Sequence, residues 1–190
     1  MRIALLVVDF INDIVHQDGK IAAAAREVAE RDVIAAANHA IAHARAANWL
    51  PVFVKVGFEP SYASQPKSSP IFGRAQEIGA LQLDGWGTAF HKDLTVLEDD
   101  LVLTKPRVSS FYGTRLEAVL RANAIEHLIL AGVSTAWAIQ STAREGHDRD
   151  YQITILQDAC AAATQDEHQQ SLQTMSRIAR ITEVAGLDRA

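Results

Sequence analysis

The sequence contains a single cysteine, Cys160, among its 190 residues. One thiol cannot form a disulfide within the chain, so a disulfide framework is excluded and a reducing, cytoplasmic location is expected. No apolar run approaches the roughly 18 residues that a membrane span needs, so no membrane partner is expected. The first apolar run meets Asp9 after a few residues and lacks a small-residue cleavage site, which argues against a signal peptide.

Positive charge is also scarce. The chain carries 18 Lys and Arg residues against 23 Asp and Glu residues, which gives a net charge of −5 at pH 7. Nucleic acids attract basic proteins, so no nucleic-acid partner is expected. Hydrophobic residues make up 48% and charged residues 22%, the balance of an ordinary globular protein. The sequence has no repeat, linker or low-complexity tract, so we predict a single domain over residues 1–190.

Short apolar runs alternate with helical patterns, which predicts an α/β fold with a parallel sheet and right-handed crossovers. Strands are predicted at residues 3–8, 51–56, 101–104, 128–131, 151–156 and, at an edge, 181–184. Helices are predicted over the Ala-rich segment 22–48, over 114–122, and after a capping box at 164–167. The intervening segment 57–88 is rich in Gly, Pro and Ser, which is typical of a lid or binding loop.

Three features of chemical interest follow predicted strands. Asp9 ends the first strand, Lys105 ends the third, and residues 132–138 turn from the fourth strand into a helix with Thr135 as a suitable N-cap. Parallel strands end at one edge of a sheet, so we expect the Asp9 and Lys105 side chains to approach within about 4 Å. An acid and a lysine that face a helix start suit proton transfer and charge stabilisation.

The motifs around these residues occur in a recognisable order. They are VVDFINDIV, the Gly85–Thr88 loop, LTKPRVSSFYGTRLEAVL, and AGVSTAWAIQSTAREGHDRDYQITILQDAC. Together they resemble the isochorismatase-like hydrolases, also called the cysteine hydrolase superfamily, over nearly the whole chain. The resemblance implies a three-layer, doubly wound, Rossmann-like sheet of about six parallel strands, assembled into a dimer or tetramer.

The resemblance also implies a catalytic set, with one departure. Amidase members use an Asp–Lys–Cys triad, whose first two positions match Asp9 and Lys105, whereas the cysteine position is Ala138. A methyl group cannot act as a nucleophile. Ala138 is either an engineered replacement or natural, because some relatives carry Gly or Ala there, and the resemblance favours a natural alanine. Cys160 lies in a strand-end motif and is expected to be a buried structural residue.

The backbone of this motif carries a further expectation. The family has a non-proline cis bond just after Gly-Val, which predicts a cis Val133–Ser134 peptide bond here. The backbone N–H groups of Ser134 and Ala138 would then point into the pocket and form an oxyanion hole. Such a site uses backbone atoms alone, so it does not depend on a cysteine side chain.

Aromatic residues in and beside these motifs are predicted to bind substrate, although any of them could instead fill the core or a subunit interface. They are Phe10, Trp86, Phe111, Tyr112 and Trp137. Aromatic pockets suit small apolar or planar molecules. Metal-binding relatives carry an acidic residue and two histidines after the second strand, where this chain has GFEPSYASQPKSSP. We therefore expect no metal site and no cofactor.

These observations predict a hydrolase for a small molecule, with Asp9 as general acid or base, Lys105 as charge stabiliser, and no cysteine nucleophile. True isochorismatases resemble this chain in dispensing with the nucleophile. Two alternatives stay open: a cysteine-dependent amidase whose nucleophile at position 138 has been replaced by alanine, and a non-catalytic member that binds a small ligand.

Self-association is expected as well. The long loop contains apolar residues that the sequence predicts to be exposed, namely Phe58, Tyr62, Ile71 and Phe72. An exposed apolar surface of that size usually has a partner, and the family resemblance favours a second copy of the chain.

Overall fold

The computed structural model describes residues 1–189 and contains a six-stranded sheet in which every pairing is parallel. The strands are β1 (Ile3–Val8), β2 (Leu50–Val56), β3 (Leu101–Lys105), β4 (His127–Val133), β5 (Gln152–Ala161) and β6 (Arg180–Thr182). Their order across the sheet is β3-β2-β1-β4-β5-β6. The predicted doubly wound α/β fold is therefore confirmed.

Helices cover both faces of the sheet. They are α1 (Asn12–Val15), α2 (Ala25–Glu30), α3 (Val33–Ala46), α4 (Ala75–Ile78), α5 (Leu116–Ala122), α6 (Gln140–His147) and α7 (Gln165–Met175). One apolar core lies between the sheet and α5, α6 and α7, with Leu120 and Leu172 among its residues. The other core includes Val28 from α2 and Ile41 from α3. Within residues 1–189, no helix is both long enough and apolar enough to cross a bilayer.

Two of the differences from the sequence prediction concern the main elements around the sheet. The Ala-rich segment forms two helices, because Asp32 adopts a left-handed conformation with φ 51° between α2 and α3. Strand β5 continues past its predicted end at residue 156 to Ala161. Its pairing with β4 shifts register, so that Gly132 lies opposite Cys160. Small residues can therefore continue the pairing with a neighbouring strand even where the sequence lacks the apolar pattern that predicts a strand.

The long loop after β2 has a small apolar core of its own. Phe58, Tyr62 and Phe72 are buried, with the Phe58 ring centroid 5.7 Å from Phe72 and 6.1 Å from Tyr62. The Tyr62 hydroxyl donates a hydrogen bond to the Ala80 carbonyl at 2.8 Å. The prediction that these three residues are exposed is wrong, because they pack on one another, whereas Ile71 is indeed 49% exposed.

The strand order reverses between β1 and β4, which is where ligands bind in open α/β sheets. Val8 is the register partner of Gly132 there. A Cβ atom at residue 132 would lie 2.4 Å from the Val8 carbonyl oxygen, so only glycine fits. This close approach brings the residue after β1 and the turn after β4 to the same point.

Candidate active site

Asp9 and Lys105 form a buried ion pair at the carboxyl edge of the sheet. Lys105 Nζ lies 2.7 Å from Asp9 Oδ2, and the side chains are only 1% and 3% exposed. The backbone N–H of Val56, at the end of the intervening strand β2, donates to Asp9 Oδ1 at 2.8 Å. Three neighbouring strand ends thus hold the carboxylate, and the two side chains lie within the distance that the strand ends predict.

The Lys105 ammonium group has no spare hydrogen. Besides Asp9, it donates to the carbonyls of Val108 at 2.8 Å and Arg107 at 3.2 Å. An ammonium group has three donors, so each of them has a protein acceptor. Lys105 therefore has no N–H donor left over for another hydrogen bond.

Burial raises the pKa of Asp9 above its ordinary value. The charge of Lys105 and the hydrogen bonds from Lys105 and Val56 act in the opposite direction, and desolvation outweighs them. A carboxyl group with a raised pKa holds its proton closer to neutral pH, which is the property of a general acid or base.

A cavity of about 240 Å³ adjoins this pair. Its charged and polar lining consists of Asp9, Lys105, Ser134 and Glu167. The remaining lining is apolar and includes Ala138, the position that the resemblance assigns to a cysteine. The cavity can therefore surround a small apolar molecule and present it to a few polar groups.

The turn after β4 forms one wall of the cavity. The Val133–Ser134 peptide bond is cis, as the resemblance predicts. A π-helical turn, Thr135–Ile139, follows and continues into α6. Ser134, rather than the predicted Thr135, is the N-cap residue. Thr135 Oγ1 instead lies 2.7 Å from His168 Nδ1 on α7, so its hydroxyl fixes the turn against that helix.

Ser134 contributes a hydroxyl group that sequence reasoning had not considered. Its Oγ atom is buried and has no hydrogen-bond partner among the side chains and backbone atoms that the structure describes. Buried polar atoms are nearly always satisfied, and exceptions occur where a ligand supplies the partner. Because Ser134 lines the cavity, its hydroxyl is positioned to contact a bound molecule.

Cys160 lies in the core rather than in the cavity wall, as expected for a structural residue. Its Sγ atom is 3.9 Å from the Leu130 carbonyl oxygen. Burial raises the pKa of the thiol to about 12, so it stays protonated and unreactive at neutral pH.

Of the five aromatic residues predicted to bind substrate, Trp137 lines the cavity. Phe10 does not, because it is fully buried in the core that α2 and α3 cover. Phe111 packs in the opposite core, with its ring centroid 6.1 Å from that of Tyr151. These two residues fill the two sides of the sheet, so their proposed substrate role is corrected to a packing role.

The other two aromatic residues are exposed outside the cavity. Trp86 packs edge-on against His16, with ring centroids 5.1 Å apart. The Arg107 guanidinium carbon lies over the Tyr112 ring, 5.6 Å from the ring centroid. Both residues line a neighbouring groove, together with Ile71 and Glu145. Adjacency to a matched motif therefore did not predict which aromatic rings face the cavity.

Two polar residues of α1 hold the long loop in place and were missed from the sequence. Asp13 Oδ2 accepts a hydrogen bond from the Leu81 N–H at 2.7 Å, and Asn12 Nδ2 donates to the Trp86 carbonyl at 2.9 Å. A Cβ atom at Gly87 would lie 2.2 Å from Asp13 Oδ2, which explains the glycine there. The available signal was a pair of polar residues inside the apolar stretch FINDIV.

Glu167 was also missed as a site residue, although the capping box that contains it was predicted. Its N–H donates to Thr164 Oγ1 at 3.1 Å, and its Oε2 accepts from the Ala163 N–H at 3.0 Å. The capping box thus holds the carboxylate at the cavity wall. Among the side chains that the structure describes, which are those of residues 1–187, no three from His, Cys, Asp or Glu form a group that could hold a metal ion.

A doubly wound parallel sheet with a buried Asp–Lys pair and a cis turn at its carboxyl edge defines the class of enzyme that the motifs resemble. The sequence model of the family described as Isochorismatase domain matches residues 3–186 of this chain. The chain belongs to the isochorismatase family.

A curated relative also supports the family, and solved structures support the fold. The ureidoacrylate amidohydrolase RutB of Klebsiella pneumoniae strain 342 is 34% identical over 170 residues, which cover 82% of this chain and 72% of that protein. An isochorismatase family protein from Desulfovibrio vulgaris superposes with a TM-score of 0.88 at 23% identity, over 98% and 96% of the two chains. N-carbamoylsarcosine amidase from Thermoplasma acidophilum gives 0.77 at 25% identity, over 97% of each chain.

Proposed function

We propose that this protein hydrolyses a small molecule in the cavity, with Asp9 as general acid or base and without a cysteine nucleophile. The observation that carries the proposal is the buried Asp9–Lys105 pair beside the cavity. Such a pair is often no more stabilising than well-packed apolar residues, so its presence beside a cavity favours a chemical role.

Water is the proposed nucleophile, because position 138 offers only a methyl group. Asp9 accepts a proton from water as the water oxygen bonds to the electrophilic carbon of the substrate. The proton then passes to the leaving atom as its bond to that carbon breaks. In a vinyl ether substrate, Asp9 instead begins as the acid and protonates the terminal vinyl carbon. Water adds to the cationic carbon and returns a proton to Asp9, and the hemiketal then breaks its carbon–oxygen bond to release an alcohol and a carbonyl compound. The raised pKa of Asp9 supports both roles.

Charge that develops on the substrate oxygen is proposed to be held at the turn after β4. The donors are the backbone N–H groups of Ser134 and Ala138, with the Ser134 hydroxyl as a further donor. Support comes from the position of both residues in the cavity wall and from the unpartnered Ser134 Oγ. Lys105 adds a positive field without direct contact.

The names of the relatives suggest where to look for a substrate. The similar Klebsiella protein is a ureidoacrylate amidohydrolase, and one similar structure is an N-carbamoylsarcosine amidase. Both names describe hydrolysis of a carbon–nitrogen bond in a small molecule. Amides and ureido compounds, both with and without a carboxylate group, are therefore the first panel to test, and vinyl ethers are the second.

The proposal is tested by incubating the protein with these panels and detecting the hydrolysed products by mass spectrometry. Asp9→Asn keeps the size of the side chain but cannot exchange a proton, so kcat should fall by about 100-fold or more. Circular dichroism and a thermal melt establish that the variant is folded. Unchanged turnover in folded Asp9→Asn would refute the role of Asp9.

A parallel variant, Ala138→Cys, separates the alternatives. Amide hydrolysis that occurs only in Ala138→Cys would favour an amidase that has lost its nucleophile. Ligand binding with no turnover in the unaltered protein or in Ala138→Cys would favour a non-catalytic binding protein. Turnover by the unaltered chain that is lost in Asp9→Asn supports the proposal.

A further inference from the structure

We propose that Glu167 and the fully engaged Lys105 make this cavity select uncharged or cationic ligands and exclude carboxylates. The inference rests on the proposed function in that it takes the cavity as the substrate site, and it specifies the substrate class. Glu167 acts as a specificity-determining residue, because it faces the ligand without taking part in proton transfer.

The first step concerns positive charge. Among the described residues that line the cavity, Lys105 is the one cation, and its three donors are used by Asp9 and by the carbonyls of Arg107 and Val108. A carboxylate recognises its site through charge-assisted hydrogen bonds, above all from arginine. Lys105 can form such a bond only by giving up one that it already has.

The nearby arginines are held elsewhere. Arg107 donates to the Ser64 and Pro106 carbonyls and borders the neighbouring groove. Arg31 donates to the carbonyls of Cys160 and Gln157. Neither residue lines the cavity, so an anionic ligand would lose its hydration without gaining a guanidinium partner.

The second step concerns negative charge. Glu167 is partly exposed at the cavity wall, and Thr164 and the Ala163 N–H hold its backbone and side chain in one position. Because the rest of the lining is mostly apolar, the field of this carboxylate is weakly screened inside the cavity. It repels an anion and attracts a cation or an N–H donor.

The chain offers a matched substitution. Gln at the third position of a capping box makes the same side-chain hydrogen bond as Glu, so Glu167→Gln removes the charge and keeps the cap. Glu98→Gln is the control, because Glu98 is exposed just before β3, at the end of the sheet away from the cavity. Both variants change the net charge equally.

The test uses three planar probes of nearly the same shape: benzamidine, benzamide and benzoate, which carry charges of about +1, 0 and −1 at neutral pH. Their dissociation constants are measured by isothermal titration calorimetry. Benzamidine and benzamide should bind at least about tenfold more tightly than benzoate. In Glu167→Gln, benzoate should gain affinity, benzamidine should lose it and benzamide should stay unchanged, whereas Glu98→Gln should match the unaltered protein.

Benzoate that binds as tightly as benzamide would overturn the proposal, and so would a Glu167→Gln variant that leaves the three affinities unchanged. Absence of benzamidine and benzamide binding at millimolar concentrations would also overturn it. None of these measurements needs turnover. A protein that binds as described but loses no activity in Asp9→Asn would therefore refute the catalytic proposal alone.

Discussion

Asp9 combines two properties that residues at the end of a buried strand seldom share. It carries a charge and is almost fully buried, and its carboxylate is held by Lys105 and the Val56 N–H. Desolvation outweighs these contacts and raises the pKa of Asp9 above its ordinary value, so burial makes this carboxyl group easier to protonate than an exposed one. Both Asp9 and Lys105 could be found from the sequence, because each stands where a predicted strand ends.

A second buried titratable group supports the turn after β4. His168 contacts Thr135 Oγ1 through Nδ1, and Arg31 lies 3.4 Å from Nε2. Burial lowers the pKa of His168 to about 4, with the Arg31 charge as a second cause. The ring is therefore neutral at pH 7 and serves as a hydrogen-bonding support for the turn.

This pKa predicts how stability changes with pH. Unfolded histidine takes up a proton near pH 6.5. Folded His168 does so only near pH 4, where its pKa lies. As the pH falls between these values, the unfolded state binds the proton first, and the free energy of unfolding drops by up to about 1.4 kcal/mol per pH unit.

His168→Gln should remove the loss of stability that His168 causes at low pH. Urea unfolding at pH 7.5 and pH 4.5 should show a smaller loss of stability in the variant than in the unaltered protein. His147→Gln, exposed at the end of α6, is the control and should keep the full loss. Equal losses in all three proteins would contradict the neutral, buried state of His168.

At the scale of elements, the long loop after β2 is fixed to α1 rather than free to open. Gly87 passes so close to Asp13 that a Cβ atom would lie 2.2 Å from its carboxylate. The same carboxylate accepts the hydrogen bond of the Leu81 N–H. A side chain at Gly87 must therefore push Asp13 away and leave a buried N–H group unsatisfied.

Gly87→Ala should lower the free energy of unfolding by about 1–3 kcal/mol. Gly85→Ala in the same loop is the matched control, because its nearest contact would be the Gln82 carbonyl oxygen at 3.2 Å. Urea unfolding of the two variants measures the difference. An equal loss of unfolding free energy in both variants would show that the close contact with Asp13 does not determine the effect of Gly87→Ala.

At the scale of the whole molecule, self-association stays a prediction, but most of the residues that could form the contact are different from those predicted from the sequence. Phe58, Tyr62 and Phe72 are buried within the loop and are not available to a partner. Ile71, Tyr112 and Trp137 are 49%, 56% and 54% exposed. Ile71 lines the cavity together with Trp137, and it also lines the neighbouring groove together with Tyr112. These three exposed residues are therefore the ones that we expect at a contact between copies of the chain.

We expect sedimentation velocity at micromolar concentration to give a multiple of the 20.7 kDa protomer mass. Tyr112→Glu should shift the population toward the protomer, because a charge would be buried in the contact. Leu97→Glu, which changes a residue 54% exposed before β3, should have no effect. A single 20.7 kDa species in the unaltered protein would contradict the expectation.

The sequence by itself determined the fold and the two charged residues of the site. Alternating apolar runs and helical patterns are local signals, and parallel strands necessarily end at one edge. Asp9 and Lys105 therefore had to meet near the turn after β4. The capping box at Thr164 followed from an equally local pattern, whereas the burial of Cys160 and the cis Val133–Ser134 bond followed from the family resemblance.

Only the tertiary structure decided which other side chains face the cavity. Phe10 and Trp137 both adjoin site residues, yet Phe10 packs under α2 and α3, and Trp137 lines the cavity. Glu167 lies on α7, far along the chain from Asp9. It reaches the same cavity because β5, the strand that precedes α7, lies only two strands away from β1 in the sheet. The direction of a side chain outside a regular strand depends on the packing of distant segments, which no local pattern records.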